Sequence, residues 1–287
     1  MAKAALRTRS KKKQEELVPA YPIQYWSHSS LMAFLRNPLA WYKRYVAKIY
    51  DTPGNPSSIV GRAAHLALQH FYGGIDKEGA INMGLEYLRE VPEFEINFGA
   101  AKSKKARKAR REKMERDYLQ AVGFYLEQAP KHNVLGVEVR AMAQVDGIPI
   151  PIKAISDLVV ISKVDKNCVD VVDHKFVAAF SKDKAEKTLF MMQALFNYYT
   201  VKQQYGKEVR RFIVYECKVS KNADGAPQMR RYVIDFGKRS AEFKVFHRLL
   251  RDATEELLHK RRYLPNPSDM FEGENSFDIY RLGLLDD

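Results

Sequence analysis

Cysteine is nearly absent: Cys168 and Cys217 are the two among 287 residues. Two thiols exclude a disulfide scaffold, and they exclude an iron–sulfur cluster or zinc site built on four cysteines of one chain. Long apolar runs are also missing. No stretch approaches the ~18 residues that a membrane-spanning helix needs, and the first residues lack the apolar centre of a secretion signal. The expectation is a cytoplasmic protein without a membrane partner. Acidic charge is in deficit, with 48 Lys+Arg against 35 Asp+Glu and a net charge of +13.

That excess is confined to two places. Residues 1–13 carry six basic residues and no acid, and residues 102–116 carry nine against Glu112 and Glu115. These stretches contribute +6 and +7, so the rest of the chain is electrically balanced. A polyanion partner would therefore be met by two segments and not by a globally basic body. Aromatics are plentiful, and 16 Tyr with 15 Phe exclude a solvated, disordered chain.

The chain reads as a basic tail over residues 1–22, one domain over 23–265 and a C-terminal extension over 266–287. Ser27-His28-Ser29-Ser30 supplies hydroxyl caps before a helical pattern that Pro38 interrupts. Helical periodicity resumes over 59–73 and, apart from a break at Val91–Gly99, over 76–129, making a helical insertion at about 75–130. The period then shortens. Residues 134–145, 148–161 and 168–177 favour strands, followed by a helix over about 183–205, strands near 209–219 and 229–236, and a helix over about 239–262. This order predicts an α/β domain with a helical insertion.

The chemistry concentrates in Val169-Asp170-Val171-Val172-Asp173-His174-Lys175-Phe176. On a strand, alternate side chains share a face, so Asp173 and Lys175 lie side by side there. One strand earlier, Asp157 interrupts the apolar run Ile155–Val160. Antiparallel pairing would bring Asp157 and Asp173 together, and two carboxylates beside a lysine suit magnesium or manganese. The competing reading is a buried structural ion pair. The tripeptide alone decides nothing: acid-x-Lys also occurs at Glu216-Cys217-Lys218 and Glu242-Phe243-Lys244, as composition alone predicts.

In this setting the chain resembles the PD-(D/E)xK nuclease superfamily, and within it the RecB-like exonuclease group with phage and CRISPR-associated members. The resemblance rests on Ser27-x-Ser29-Ser30-Leu31 with Phe34, Pro38, Tyr42 and Tyr45, on Gly61-x-x-x-His65, on Asp157 with Asp173-x-Lys175, and on Gln193 followed by Tyr198. It implies a restriction-endonuclease-like mixed β-sheet flanked by helices, and a DNA nuclease dependent on Mg2+ or Mn2+. By resemblance, His65, Asp157, Asp173 and the backbone carbonyl of His174 would hold metal. Lys175 would orient or activate water, while Gln193 and Tyr198 would steady the lysine region or contact DNA. Two departures stand out. The group usually spaces Gln and Tyr four apart, but position 197 is Asn and tyrosines follow at 198 and 199. Relatives also carry cysteines where Asn37 and the residues after Pro265-Asn266-Pro267 stand here, so no iron–sulfur cluster is expected. Phe271, Phe277 and Tyr280 would pack inward instead.

Lys102, Lys104, Lys105, Arg107, Lys108, Arg110 and Arg111 would contact a phosphate backbone, or else form a solvated helix face. Trp41, Tyr42 and Tyr45 could stack on bases, though aromatics at helical spacing usually form core. The leading reading is an exonuclease of recombination, repair or phage DNA processing in a bacterial or phage-infected cell, with a recombination or annealing protein as a further partner. The alternatives are a DNA-binding protein that does not cut, or a site-specific endonuclease on the same core.

Overall fold

The computed structural model describes residues 21–49, 53–180, 186–220, 222, 228–259 and 262–264. Residues 1–13, and Phe271, Phe277 and Tyr280, lie outside the described residues.

Local capping chemistry sets the N-terminal helices. Strand β1 (Trp26–Ser27) leads directly into α1 (His28–Arg36), where the Ser27 hydroxyl accepts from the Ser30 amide at 3.2 Å. Asn37 ends α1 and caps α2 (Pro38–Trp41), so the break falls where proline cannot supply an amide. Helix α3 (Pro56–Tyr72) starts on Asn55, α4 (Lys77–Glu90) on Asp76 and α5 (Lys104–Glu127) on Ser103. In α5 the basic run and the apolar-periodic run form one continuous helix of 24 residues.

Then follow β2 (Val134–Ala143), β3 (Ile152–Ile161), β4 (Val169–Val177), α6 (Glu186–Tyr205), β5 (Val209–Lys218), β6 (Met229–Asp235) and α7 (Ser240–Glu256). Helix α7 is shorter than the periodicity suggested, because the chain closes into turns at Leu257 and Leu258. The six strands make one mixed sheet. β2, β3 and β4 are successive antiparallel neighbours, β4 and β5 run parallel across α6, and β6 returns antiparallel.

Strand alternation divides the core into two layers. Val169 and Val171 face a core with Trp26, Trp41, Phe196, Phe246 and Leu250, contributed by β1, α2, α6 and α7. Val172, Ile213 and Cys217 face the other, with Ala64, Tyr118 and Tyr125 from α3 and α5. Helices thus cover both faces of the sheet.

One feature of the sheet positions the site. The β3–β4 ladder runs from Ile161 paired with Val169 to Leu158 paired with Val172, and it stops there. The next pair in register would be Asp157 with Asp173. Beyond it, the same edge of β3 is occupied at Ile152 and Lys153 by β1. The sheet is therefore forked where the two carboxylates stand.

Candidate active site

The fork between β3 and β4 carries a closely spaced polar cluster. Asp157 Oδ2 accepts from the backbone amide of His174 at 2.7 Å, and it lies 3.3 Å from His174 Nδ1 and 3.3 Å from His65 Nδ1. His65 comes from α3, so a helix of one layer reaches the fork between two strands. On the other prong, Asp173 Oδ2 meets Lys175 Nζ at 2.7 Å, and its Oδ1 accepts from Gln193 Nε2 of α6 at 2.6 Å. The alternation of β4 explains this division. Asp173 and Lys175 point toward α6, and His174 points into the α3–α5 layer, where its ring is almost fully buried.

His174 is tied down there by a polar chain. Its Nε2 lies 2.8 Å from the Tyr125 hydroxyl, which lies 2.8 Å from the Tyr72 hydroxyl, which donates to the Pro130 carbonyl at 3.1 Å. Tyr72 and Tyr215 stack on the imidazole, with interplanar angles of 18° and 19°. The ring so fixed presents Nδ1 to Asp157.

The electrostatics differ between the prongs. Burial opposes ionisation of Asp157, but His65 and His174 outweigh it and hold the carboxyl well below the usual range. Burial pushes Asp173 up; Lys175 opposes this and Asp157 adds to it, leaving the net shift upward. Burial would discharge Lys175, yet Asp173 and Asp157 keep its pKa raised. Burial likewise works against the charge on His65, and Asp157 outweighs it to leave the pKa raised.

The sequence reading missed Glu138. It sits on β2 between Val137, which pairs with Leu158, and Val139, which pairs with Ser156, so it lies opposite Asp157. One ligand atom each from His65, Glu138 and Asp157 all fall within 4.8 Å of one another. The signal was present: like Asp157, Glu138 is an acid interrupting a valine-rich strand, one hairpin upstream.

Tyr198 does not join the site. Its hydroxyl donates to Glu208 at 2.9 Å, and its ring packs on Phe236 and Phe243. Five residues advance a helix well past a full turn, so Tyr198 turns away from the face of Gln193. The residue four positions on is Asn197. It is buried, accepts from Ser156 Oγ at 2.6 Å and donates to the Gln193 carbonyl at 2.8 Å. Trp41 is fully buried and donates to Ser30 Oγ, while Tyr42 stacks on Tyr263. Trp41 is therefore core, and Tyr42 is half-buried against it with one face covered by Tyr263.

The basic run lies along the first half of α5, and only its C-terminal end is placed near the site. Lys102, Lys104, Lys105, Lys108 and Arg110 are exposed and have no ion pair among the described residues. Arg107 lies 3.7 Å from Glu93, and Arg111 donates to the Val91 carbonyl. Arg110 and Lys113 line a cavity of about 170 Å³ with Ser57, Val60 and Phe176. Phe176 is the neighbour of Lys175, and its ring centre is 6.1 Å from that of His65. The end of the basic run thus opens beside the carboxylate fork.

The sequence profile of the PD-(D/E)XK nuclease superfamily matches residues 25–270. The chain belongs to this superfamily. Its mixed sheet flanked by helices is the restriction-endonuclease-like nuclease fold. The solved structure of a candidate exonuclease from Eubacterium rectale aligns over 94% of this chain and 100% of its own, with 12% identity and a TM-score of 0.51. A crystal structure of SSO0001 aligns over 88% of this chain and 93% of its own at 13% identity; its TM-score of 0.33 is too low to bear on the fold. No curated protein matches the chain. Among the described residues, no helix of this superfamily member is long and apolar enough to cross a membrane.

Proposed function

We propose that this superfamily member is a divalent-metal-dependent DNA nuclease that works from strand ends. The observation carrying the proposal is the forked sheet, which sets Asp157 and Asp173 in register with Lys175 bonded to the second. The end-directed mode is the finer part of the reading, supported by the motif order and by the likeness to a candidate exonuclease. The donors fit a hard or borderline divalent cation: His65, Asp157 and Glu138 each bring one ligand atom within 4.8 Å of the others, and Asp173 stands in register with Asp157 across the fork.

His65, Asp157, Asp173 and the His174 carbonyl would hold Mg2+ or Mn2+. When bound, the cation would supply an acidified water and offset charge on the phosphate. The residues do the rest. Lys175 retains its proton beside Asp173, so it acts as a hydrogen-bond donor and local positive charge toward the attacked phosphate. Gln193 fixes the Asp173 carboxylate from the opposite side, and His174 fixes Asp157. The exposed cations of α5 would hold the polyanion by counterion release.

The test is digestion of end-labelled linear DNA and of closed circular DNA, each with Mg2+ or Mn2+. Shortening of the linear substrate with the circle intact is expected, and discrete bands from the circle would favour a site-specific endonuclease. Unchanged cleavage by Asp173→Ala and Lys175→Ala proteins would remove the catalytic assignment.

A further inference from the structure

We propose that Glu138 is an additional protein ligand for the divalent cation, standing beside His65 and Asp157 and adding a third carboxylate to those of Asp157 and Asp173. The inference rests on the metal-dependent reading above and extends it to a residue outside the recognised motifs.

Three observations carry it. Glu138 lies opposite Asp157 on the neighbouring strand, and their ligand atoms with that of His65 lie within 4.8 Å of one another. Its backbone stands at φ 49°, the left-handed region that non-glycine residues seldom adopt. Gly136, two residues earlier, shows that the strand does accommodate glycine, yet the left-handed position is a glutamate. Finally, the pKa of the half-buried Glu138 carboxylate is raised, by burial first and then by Asp157, with Asp173 adding to it; His65 and Arg140 offset this only in part. A half-buried carboxylate in left-handed backbone, repelled by two others, is offset only in part by His65 and Arg140, and a bound cation would offset it further. The strain then serves to aim the carboxylate across the mouth of the fork.

The donor set also carries a selectivity. An imidazole nitrogen beside carboxylates suits Mn2+ better than Mg2+, which prefers oxygen ligands alone.

The experiment is calorimetric titration of the full chain with Mn2+ alone and with Mg2+ alone, together with the electron paramagnetic resonance of bound Mn2+. Wild type is expected to bind Mn2+ more tightly than Mg2+. Glu138→Gln should weaken Mn2+ binding by at least about 10–100-fold, the loss typical of removing merely an outer-shell partner, and should alter the resonance of the bound ion. Glu138→Gly and Glu138→Asn relieve the left-handed strain. They should raise the cation-free melting temperature by about 2–4 °C while also losing Mn2+ affinity. Those two variants keep the test open if the glutamine variant folds poorly. Wild-type affinity in all three variants would overturn the ligand assignment while leaving the metal-dependent nuclease intact. A lower melting temperature in the glycine variant with unchanged affinity would likewise overturn it, marking Glu138 as structural. Absence of Mn2+ and Mg2+ binding by wild type would overturn both readings together.

Discussion

The two prongs of the fork carry the same residue type in opposite electrical settings. Asp157 faces two imidazoles and a backbone amide, so it remains ionised with the cation absent. Asp173 faces a lysine and a glutamine amide, yet burial and Asp157 push its pKa up. The difference teaches a division of labour. In the proposed reading the Asp157 prong holds the cation, with His65 as a further ligand and His174 keeping the carboxylate in place. In the same reading the Asp173 prong would couple the cation to Lys175, the group placed to meet the phosphate.

The comparison breaks most visibly at Lys175. Lys175→Met is expected to reduce cleavage about 10³-fold, the scale for losing a preorganised donor to developing charge. Its cation affinity should stay within a few-fold of wild type. Asp157→Asn should lose both cation affinity and cleavage. If calorimetry found the reverse pattern, the two prongs would have been assigned the wrong way round.

His174 sharpens the Asp157 side. Its imidazole is a positioning group, so removing the Nδ1 donor should loosen the carboxylate without touching substrate. His174→Phe is expected to weaken cation binding about 10–100-fold, as loss of an outer-shell partner does. His174→Asn keeps a donor at the Nδ1 position and should restore most of that affinity. A purely structural role would give two equally weak proteins with equally lowered melting temperatures.

On the Asp173 side, Gln193→Ala removes one donor to a buried carboxylate. A hydrogen bond to a charged group contributes about 1.5–3 kcal/mol, so roughly a tenfold or greater fall in turnover is expected. Because Asn197 bonds to the Gln193 carbonyl and to Ser156, Gln193→Asn would leave the helix in place and test reach alone. Equal turnover in wild type and both variants would separate Gln193 from the chemistry.

Some of this was legible in the chain and some was not. The period of two placed Asp173 and Lys175 on one face, and the hairpin spacing brought Asp157 into register with Asp173, because both follow from strand geometry alone. Gln193 was legible through its place in the motif order, on the helix that follows β4. Tyr198 was misread by a single residue: five positions rotate a side chain off the face that four preserve. The role of His174 as a buried prop was hidden, since the middle residue of the tripeptide points to the opposite layer and its partners Tyr72 and Tyr125 come from distant helices. Glu138 had the right pattern, but nothing in a sequence announces that its backbone is left-handed. The fork itself came from β1 occupying the far end of β3, a two-residue strand that periodicity does not reveal.

The smallest expected effect, and the one that separates the prongs by pH, belongs to His65. Burial lowers its pKa, but Asp157 outweighs burial and raises it above 6.5 in the cation-free fold. A raised histidine stabilises the fold fully below its unfolded pKa, and that contribution is lost as pH rises through the folded value. Asp157 behaves oppositely: its depressed pKa contributes above about 3.8 and is lost only as pH falls far below it. From pH 6 upward the His65 contribution therefore lowers the cation-free melting temperature, while His28 and His132, whose pKa values burial lowers, act in the opposite direction. The His65 part is the difference between wild type and His65→Gln. Cation affinity should move the other way, because His65 must be neutral to act as the proposed ligand. It should rise up to about tenfold per pH unit below the folded pKa of His65 and level off above it. His65→Gln should remove its downward part of the melting curve and flatten the affinity curve. A cation affinity that climbed with pH in that variant as in wild type would place the titrating group elsewhere and detach His65 from the Asp157 prong.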